Sequence, residues 1–173
     1  MVSRDEISNL VEELSSAQMR GAAVFIFGNG GSAASASHWV NDLMRNKRYP
    51  IRAISLVDNA AVVSAVGNDH GFEYVFRYQL HHLLRPGDVA MAISASGNSP
   101  NLLVAISYAK RSGATTVALT GFDGGELRGA ADISVHVPSE RGAYGPVEDA
   151  HMILGHLVTQ AMWDALDTRT DAT

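Results

Sequence analysis

The stretch DVAMAISASGNSPNLLVAI, Asp88 to Ile106, carries the pattern on which the fold turns. It opens as an uninterrupted apolar run and closes that run with Ser94, Ser96, Gly97, Asn98 and Ser99. It then resumes with Leu102, Leu103 and Ile106, continued by Ala109, at helical spacing. An apolar run without polar alternation is the signature of a strand buried on both faces. Pro100 suits the first turn of a helix. Strand, polar turn and helix in that order form the repeating unit of a parallel sheet with right-handed crossovers.

Four other runs repeat the signal: Ala23–Gly28, Ile51–Leu56, Thr115–Thr120 and Asp132–Val137. Between and around them lie helical stripes. Ile7, Leu10, Val11 and Leu14 mark an N-terminal helix within residues 1–21. Met152, Leu154, Leu157, Val158 and Met162 mark a long last helix over about 147–166, followed by a polar tail at 167–173. No linker or repeat divides the chain. The expectation is one α/β domain, a three-layer sandwich with a five-stranded parallel sheet flanked by helices.

Composition bounds the function. The 173 residues are 46% hydrophobic and 18% charged, as in an ordinary globular domain. There is no cysteine, which excludes disulfides and thiolate metal sites. A formal net charge of −5 argues against a nucleic-acid footprint. No apolar run approaches the roughly 20 residues of a membrane span, and MVSRDEISNL lacks a signal-peptide core. Cytoplasmic residence without membrane attachment is therefore expected. An anionic ligand has to be held by local geometry.

Two strand-to-helix turns supply that geometry, because ligands of open parallel sheets bind beyond the carboxyl ends of the strands. One is GNGGSAAS at 28–35; the other is SASGNS at 94–99. Both place small residues and hydroxyls at a helix N-terminus, where free N–H groups and the helix dipole favour an anion. Ser32, Ser94, Ser96 and Ser99 could encircle a phosphate. The plainer reading is that Ser99 or Asn98 only caps the following helix. A rival reading takes Gly28, Gly30 and Ala33 as a relaxed dinucleotide pattern with Asp58 as the ribose acid, but such a pattern alone is weak.

Metal-type ligands form a second constellation. His38 and Asp42, four residues apart, share a helical face. The last helix carries Glu148, Asp149, His151 and His156. Either acid could converge with His156 on a site between helices, and two imidazoles with two carboxylates suit Zn²⁺, Mn²⁺, Fe²⁺ or Ni²⁺. His151 reads as a structural partner. In GNDHGFE, 67–73, Asn68 and Asp69 could cap a helix after Gly71, or Asp69 could contact sugar hydroxyls. The basic RNKRYP, 45–50, reads as a solvated helix end, or as a cluster that helps to attract an anionic substrate.

Taken together, GNGGSA at 28–33, His38, GNDHGFE at 67–73, RPGDV at 85–89, ISASGNSPN at 93–101, LTGFDGG at 119–125 and VEDAHMILGH at 147–156 resemble the sugar isomerase (SIS) domain family, of the sedoheptulose 7-phosphate isomerase type. The resemblance spans about 23–166. It implies a flavodoxin-like sheet, a homotetramer with sites between subunits, and aldose–ketose isomerisation of a sugar phosphate through an enediol(ate). It places phosphate contacts on Ser32, Ser94, Ser96 and Ser99, sugar contacts on Asn29, Asp69 and Glu148, and the catalytic acid/base pair on His156 and Asp42. It also implies a divalent metal, Zn²⁺ foremost and one per subunit, on His38, Asp42, Glu148 and His156. Asp42 stands where the family has glutamate, and Glu148 where it has glutamine. The extra charge of Glu148 predicts firmer metal retention. The family's arginine one turn after the acid falls on Asn46, beside Arg45 and Lys47, and the loop SERGAYGP lacks the family's aspartate. An isomerase of another sugar phosphate, or a non-catalytic SIS-domain protein that binds a replication initiator, are the alternatives the same pattern allows.

Overall fold

The computed structural model describes residues 1–170; Asp171–Thr173 lie outside it. The element order is α1 (Arg4–Met19), β1 (Ala23–Gly28), α2 (Gly31–Met44), β2 (Arg52–Ser55), α3 (Ala60–Asp69), a 3-10 turn (Phe72–Tyr74), α4 (Val75–Leu83), β3 (Val89–Ser94), α5 (Pro100–Arg111), β4 (Thr115–Thr120), α6 (Gly125–Ala130), β5 (Ile133–His136) and α7 (Tyr144–Thr170). The five strands form one all-parallel sheet in the order β2-β1-β3-β4-β5. The chain reverses its direction of winding between β1 and β3, which opens a crevice at their carboxyl ends.

The strands read as continuous apolar runs because both faces are covered. Along β1, Val24 and Ile26 pack with Leu10, Leu14, Trp39, Leu43, Val158 and Met162 under α1, α2 and α7. Phe25 and Phe27 point the other way, into Phe76, Leu80, Leu102 and Ile106 under α3, α4 and α5. Every residue of β1 and β3 is buried.

Two sequence expectations shift. Asn68 and Asp69 are the last residues of α3 and cap nothing: Asn59 caps α3 by accepting from the Val62 N–H, and Gly71 precedes the 3-10 turn without a side-chain cap. The expected polar tail from 167 is helix as far as Thr170. Asp167 holds that end down, accepting from Arg48 Nη1 at 2.5 Å and from the Tyr49 hydroxyl at 2.6 Å. RNKRYP is thus partly a docking segment for α7, with Tyr49 buried.

Candidate active site

At the carboxyl ends of β1 and β3 a cavity of about 250 Å³ is lined by Asn29, Gly30, Gly31, Ser32, Ser94, Ala95, Ser96, Ser99, Tyr144 and Glu148. The turns expected to hold an anion meet here. Gly30, at φ +56°, turns the chain into α2 without a side-chain cap. Ser99 precedes Pro100 and α5, and its hydroxyl makes no capping bond either. The plain capping reading of Ser99 therefore does not hold. Ser94 Oγ accepts the Gly97 N–H at 3.0 Å and Ser96 Oγ accepts the Asn98 N–H at 3.3 Å. Each hydroxyl that accepts in this way keeps its proton for an incoming anion.

The serine loop is held from outside. Gly97, at φ +66°, abuts the Gly124 carbonyl so closely that a Cβ could not fit. Leu127 N–H donates to the Gly97 carbonyl at 2.9 Å, and Glu126 N–H to Asn98 Oδ1 at 3.0 Å. Asn29 and Asn101 exchange reciprocal amide hydrogen bonds, both 2.9 Å, which fasten the first turn to α5. Asn29 keeps one N–H and one lone pair for a ligand.

A second cleft of about 530 Å³ lies between α2 and α7, lined by His38, Asn41, Asp42, Arg45, His156, Leu157, Thr159, Gln160 and Trp163. A close helix contact builds it. Trp39 lies against Gly155, where an added Cβ would sit 3.3 Å from the indole, and its Nε1 donates to the buried Thr159 hydroxyl at 3.0 Å. The residues next to this contact, His38 and His156, are thereby brought face to face. Their Nε2 atoms are 3.0 Å apart, and Asp42 Oδ2 is 3.3 Å from each. Three ligand-type atoms of three side chains so form one small triangle. A tetrahedral Zn²⁺ with bonds of about 2.0–2.1 Å separates its ligands by about 3.3 Å, so the donor set and its spacing fit a divalent cation with an open fourth position. Arg45 flanks the trio, 3.9 Å from Asp42 Oδ1 and over the Trp163 ring.

Of the residues named from sequence, Ser32, Ser94, Ser96, Ser99, Asn29 and Glu148 share the first cavity, and His38, Asp42 and His156 share the second. Glu148 is not in the trio. Its carboxylate rests against Gly31, and eight residues of α7, about 12 Å of rise, separate it from His156. Asp149 and Asp69 are exposed and line neither cavity. Asp58 is hydrogen-bonded to Ser37 on α2 and does not reach the first cavity, which removes the ribose-acid reading. His151 is 1% exposed, and neither ring nitrogen makes a well-formed hydrogen bond, the Thr120 main chain offering only a weak one. Burial pushes it down to about 4; the neighbouring His136 adds to this and the Thr120 main chain opposes it. Tyr144 and Asn101 were not singled out from the sequence, and Arg45 was noted only as part of the basic cluster. For Asn101 the available signal was its place directly after the serine loop.

This crevice, lined by hydroxyls at the starts of two helices, defines an α/β domain with a small-ligand cavity beyond the carboxyl ends of its strands. The chain belongs to the SIS domain family, which it matches over residues 2–121. Relatives 36–40% identical to it over most of its length are named phosphoheptose isomerases. It is 38% identical over 157 residues to the probable phosphoheptose isomerase of Thermoplasma acidophilum, covering 89% of this chain and 85% of the other. It is 36% identical over 168 residues to that of Aquifex aeolicus, covering 95% and 87%. The solved phosphoheptose isomerase of Neisseria gonorrhoeae superposes with a TM-score of 0.87 at 30% identity, covering 93% of this chain and 86% of that one.

Proposed function

We propose that this protein is an aldose–ketose isomerase acting on sedoheptulose 7-phosphate. The observation that carries this reading is the joint placement of two groups of side chains on α2 and α7. The serine pocket surrounds the starts of α2 and α5, and the His38–Asp42–His156 trio sits further along α2 and α7. From Ser32 to His38 is about 9 Å of helical rise, a span that a seven-carbon phosphate monoester can bridge.

The phosphoryl group is bound by the hydroxyls of Ser32, Ser94, Ser96 and Ser99 and by the uncapped start of α5. Asn29 orients the sugar, as does Glu148. The trio faces the carbonyl end. There a base removes a proton from C1 of the open-chain ketose, whose carbonyl is at C2, and the electron pair moves to give an enediol(ate). Return of the proton to C2, with O1 giving up its proton and O2 gaining one, leaves the aldehyde at C1. With no metal in the trio, His156 Nε2 and Asp42 Oδ2, 3.3 Å apart, are the groups that hold and move this proton. The same three atoms would alternatively hold a divalent metal, Zn²⁺ being the simplest fit, which would supply Lewis acidity to the carbonyl; as its ligands they would not carry the proton, which would then fall to the free Asp42 oxygen. Assembly as a homotetramer accords with the exposed Ile153 and Leu157 beside His156 on α7.

Among the described residues no helix is long and apolar enough to cross a membrane. The test is NMR detection of deuterium incorporation at C1 of sedoheptulose 7-phosphate, with divalent metal supplied and after chelation. Exchange in the wild type supports the isomerase; its absence with metal present refutes it and favours a binding protein. Exchange that survives chelation but is lost in His156→Gln assigns proton transfer to His156, and loss on chelation assigns the trio to the metal.

A further inference from the structure

Tyr144 is the first residue of α7, and its side chain stands at the mouth of the serine cavity with 53% of its surface exposed. It is propped there. Its ring meets Phe122 edge-on, with centroids 5.0 Å apart and planes at 78°. Phe122 is itself buried and is the one non-glycine among the described residues with positive φ, +48°. A phenylalanine in that conformation costs on the order of 1 kcal/mol and persists only where its surroundings over-determine it. Here they do: Phe122 N–H donates to Ser139 Oγ at 3.0 Å, its carbonyl accepts the Ser139 N–H at 3.3 Å, and the ring packs on Ala95 and Val147. The strained residue serves as a platform for an exposed ring.

The cavity also has a polarity. One wall is made of the hydroxyls of Ser94, Ser96 and Ser99 and the start of α5, which attract an anion. The other belongs to α7, where Tyr144 and Glu148 lie one turn apart on the same face and the Glu148 carboxylate reaches Gly31 at the start of α2. A phosphoryl group is repelled by the Glu148 carboxylate and so occupies the serine wall. The α7 wall is left to the uncharged part of the ligand: carbon-bound hydrogens against the aromatic ring, hydroxyls against the carboxylate. We infer that Tyr144 is a specificity-determining residue, whose ring covers the carbon chain of the sugar next to the phosphate and takes no part in holding the phosphate itself.

This inference rests on the isomerase reading and deepens it. Its test uses the full chain with Tyr144→Ala and Tyr144→Phe. It compares KM and kcat for sedoheptulose 7-phosphate with the inhibition constant of inorganic phosphate, and follows folding by thermal melting. Tyr144→Ala is expected to raise KM about tenfold, carrying most of the loss in kcat/KM, as removal of an aromatic contact does. Tyr144→Phe is expected to stay within about twofold of wild type, because the ring suffices. The phosphate inhibition constant stays at the wild-type value in both. An unchanged KM in Tyr144→Ala overturns the inference and leaves the isomerase standing. So does an equal weakening of phosphate, which would mean that Tyr144 only supports the serine loop. A wild type that turns over no sedoheptulose 7-phosphate, and binds none, removes the isomerase reading and this inference together.

Discussion

Acidification should loosen this fold through one side chain. His151 lies on α7 with 1% exposure and neither ring nitrogen in a well-formed hydrogen bond. Burial, the larger cause, and then the neighbouring His136 drive its pKa to about 4 from the ordinary 6.5, with the Thr120 main chain acting in the opposite sense. His136 is shifted in the same direction, by burial first and then by Arg128, with Glu6, Thr120 and Asp123 opposing. The sign follows from linkage. The folded state keeps His151 neutral while the unfolded chain takes up the proton, so stability is fully present above pH 6.5 and declines as pH falls towards 4. A shift of about 2.5 units is worth about 3 kcal/mol in all, of which about 2 kcal/mol is lost between pH 7 and pH 5. That is a large share of an ordinary domain's stability. The assay is urea unfolding of wild type and His151→Phe at pH 7 and pH 5, with the imidazole titration followed by NMR. Phenylalanine keeps the ring volume and removes the titration, so its stability should depend less on pH by about 2 kcal/mol over that interval. A His151 ring that titrates above pH 6, or a variant with the wild-type pH slope, would refute the argument.

Three further outcomes are expected. Asp42→Asn removes the one charged ligand from the trio, and metal retained after dialysis should fall by about 100-fold or more, read by elemental analysis. Glu148→Gln should leave metal retention as it is, because the Glu148 carboxylate lies against Gly31 and outside the trio; this reverses the expectation that its charge would strengthen binding, and a marked loss of metal would restore that expectation. Gly97→Ala should destabilise the protein by about 2–4 kcal/mol in thermal or urea melts, since it places a Cβ at positive φ against the Gly124 carbonyl, and the sugar phosphate should bind more weakly in the same variant.

Much of this molecule is written locally. The five strands were legible because each is buried on both faces and so reads as an apolar run; β1 and β4 were legible to the residue. The two strand-to-helix turns that line the first cavity were legible because glycine and serine cluster directly after a strand. His38 and Asp42 were legible as a pair because four residues make one helical turn. Helix ends were less so. Asp167 looks like the start of a loose tail, yet it is clasped by Arg48 and Tyr49, more than a hundred residues away in sequence.

What tertiary structure alone decided is which local groups meet. Periodicity places both Glu148 and Asp149 near His156 on α7, and nothing in the spacing says that neither joins the trio. The close packing of Trp39 on Gly155 decides that, by setting the rotation and height of α7 against α2. Likewise no sequence pattern announces that Tyr144 leans on a strained Phe122 to wall the serine cavity. Spacing fixes neighbours within one helix, through a constant rise and turn; contacts between helices depend on how side chains of different size interlock, and that is settled only when the whole core is packed.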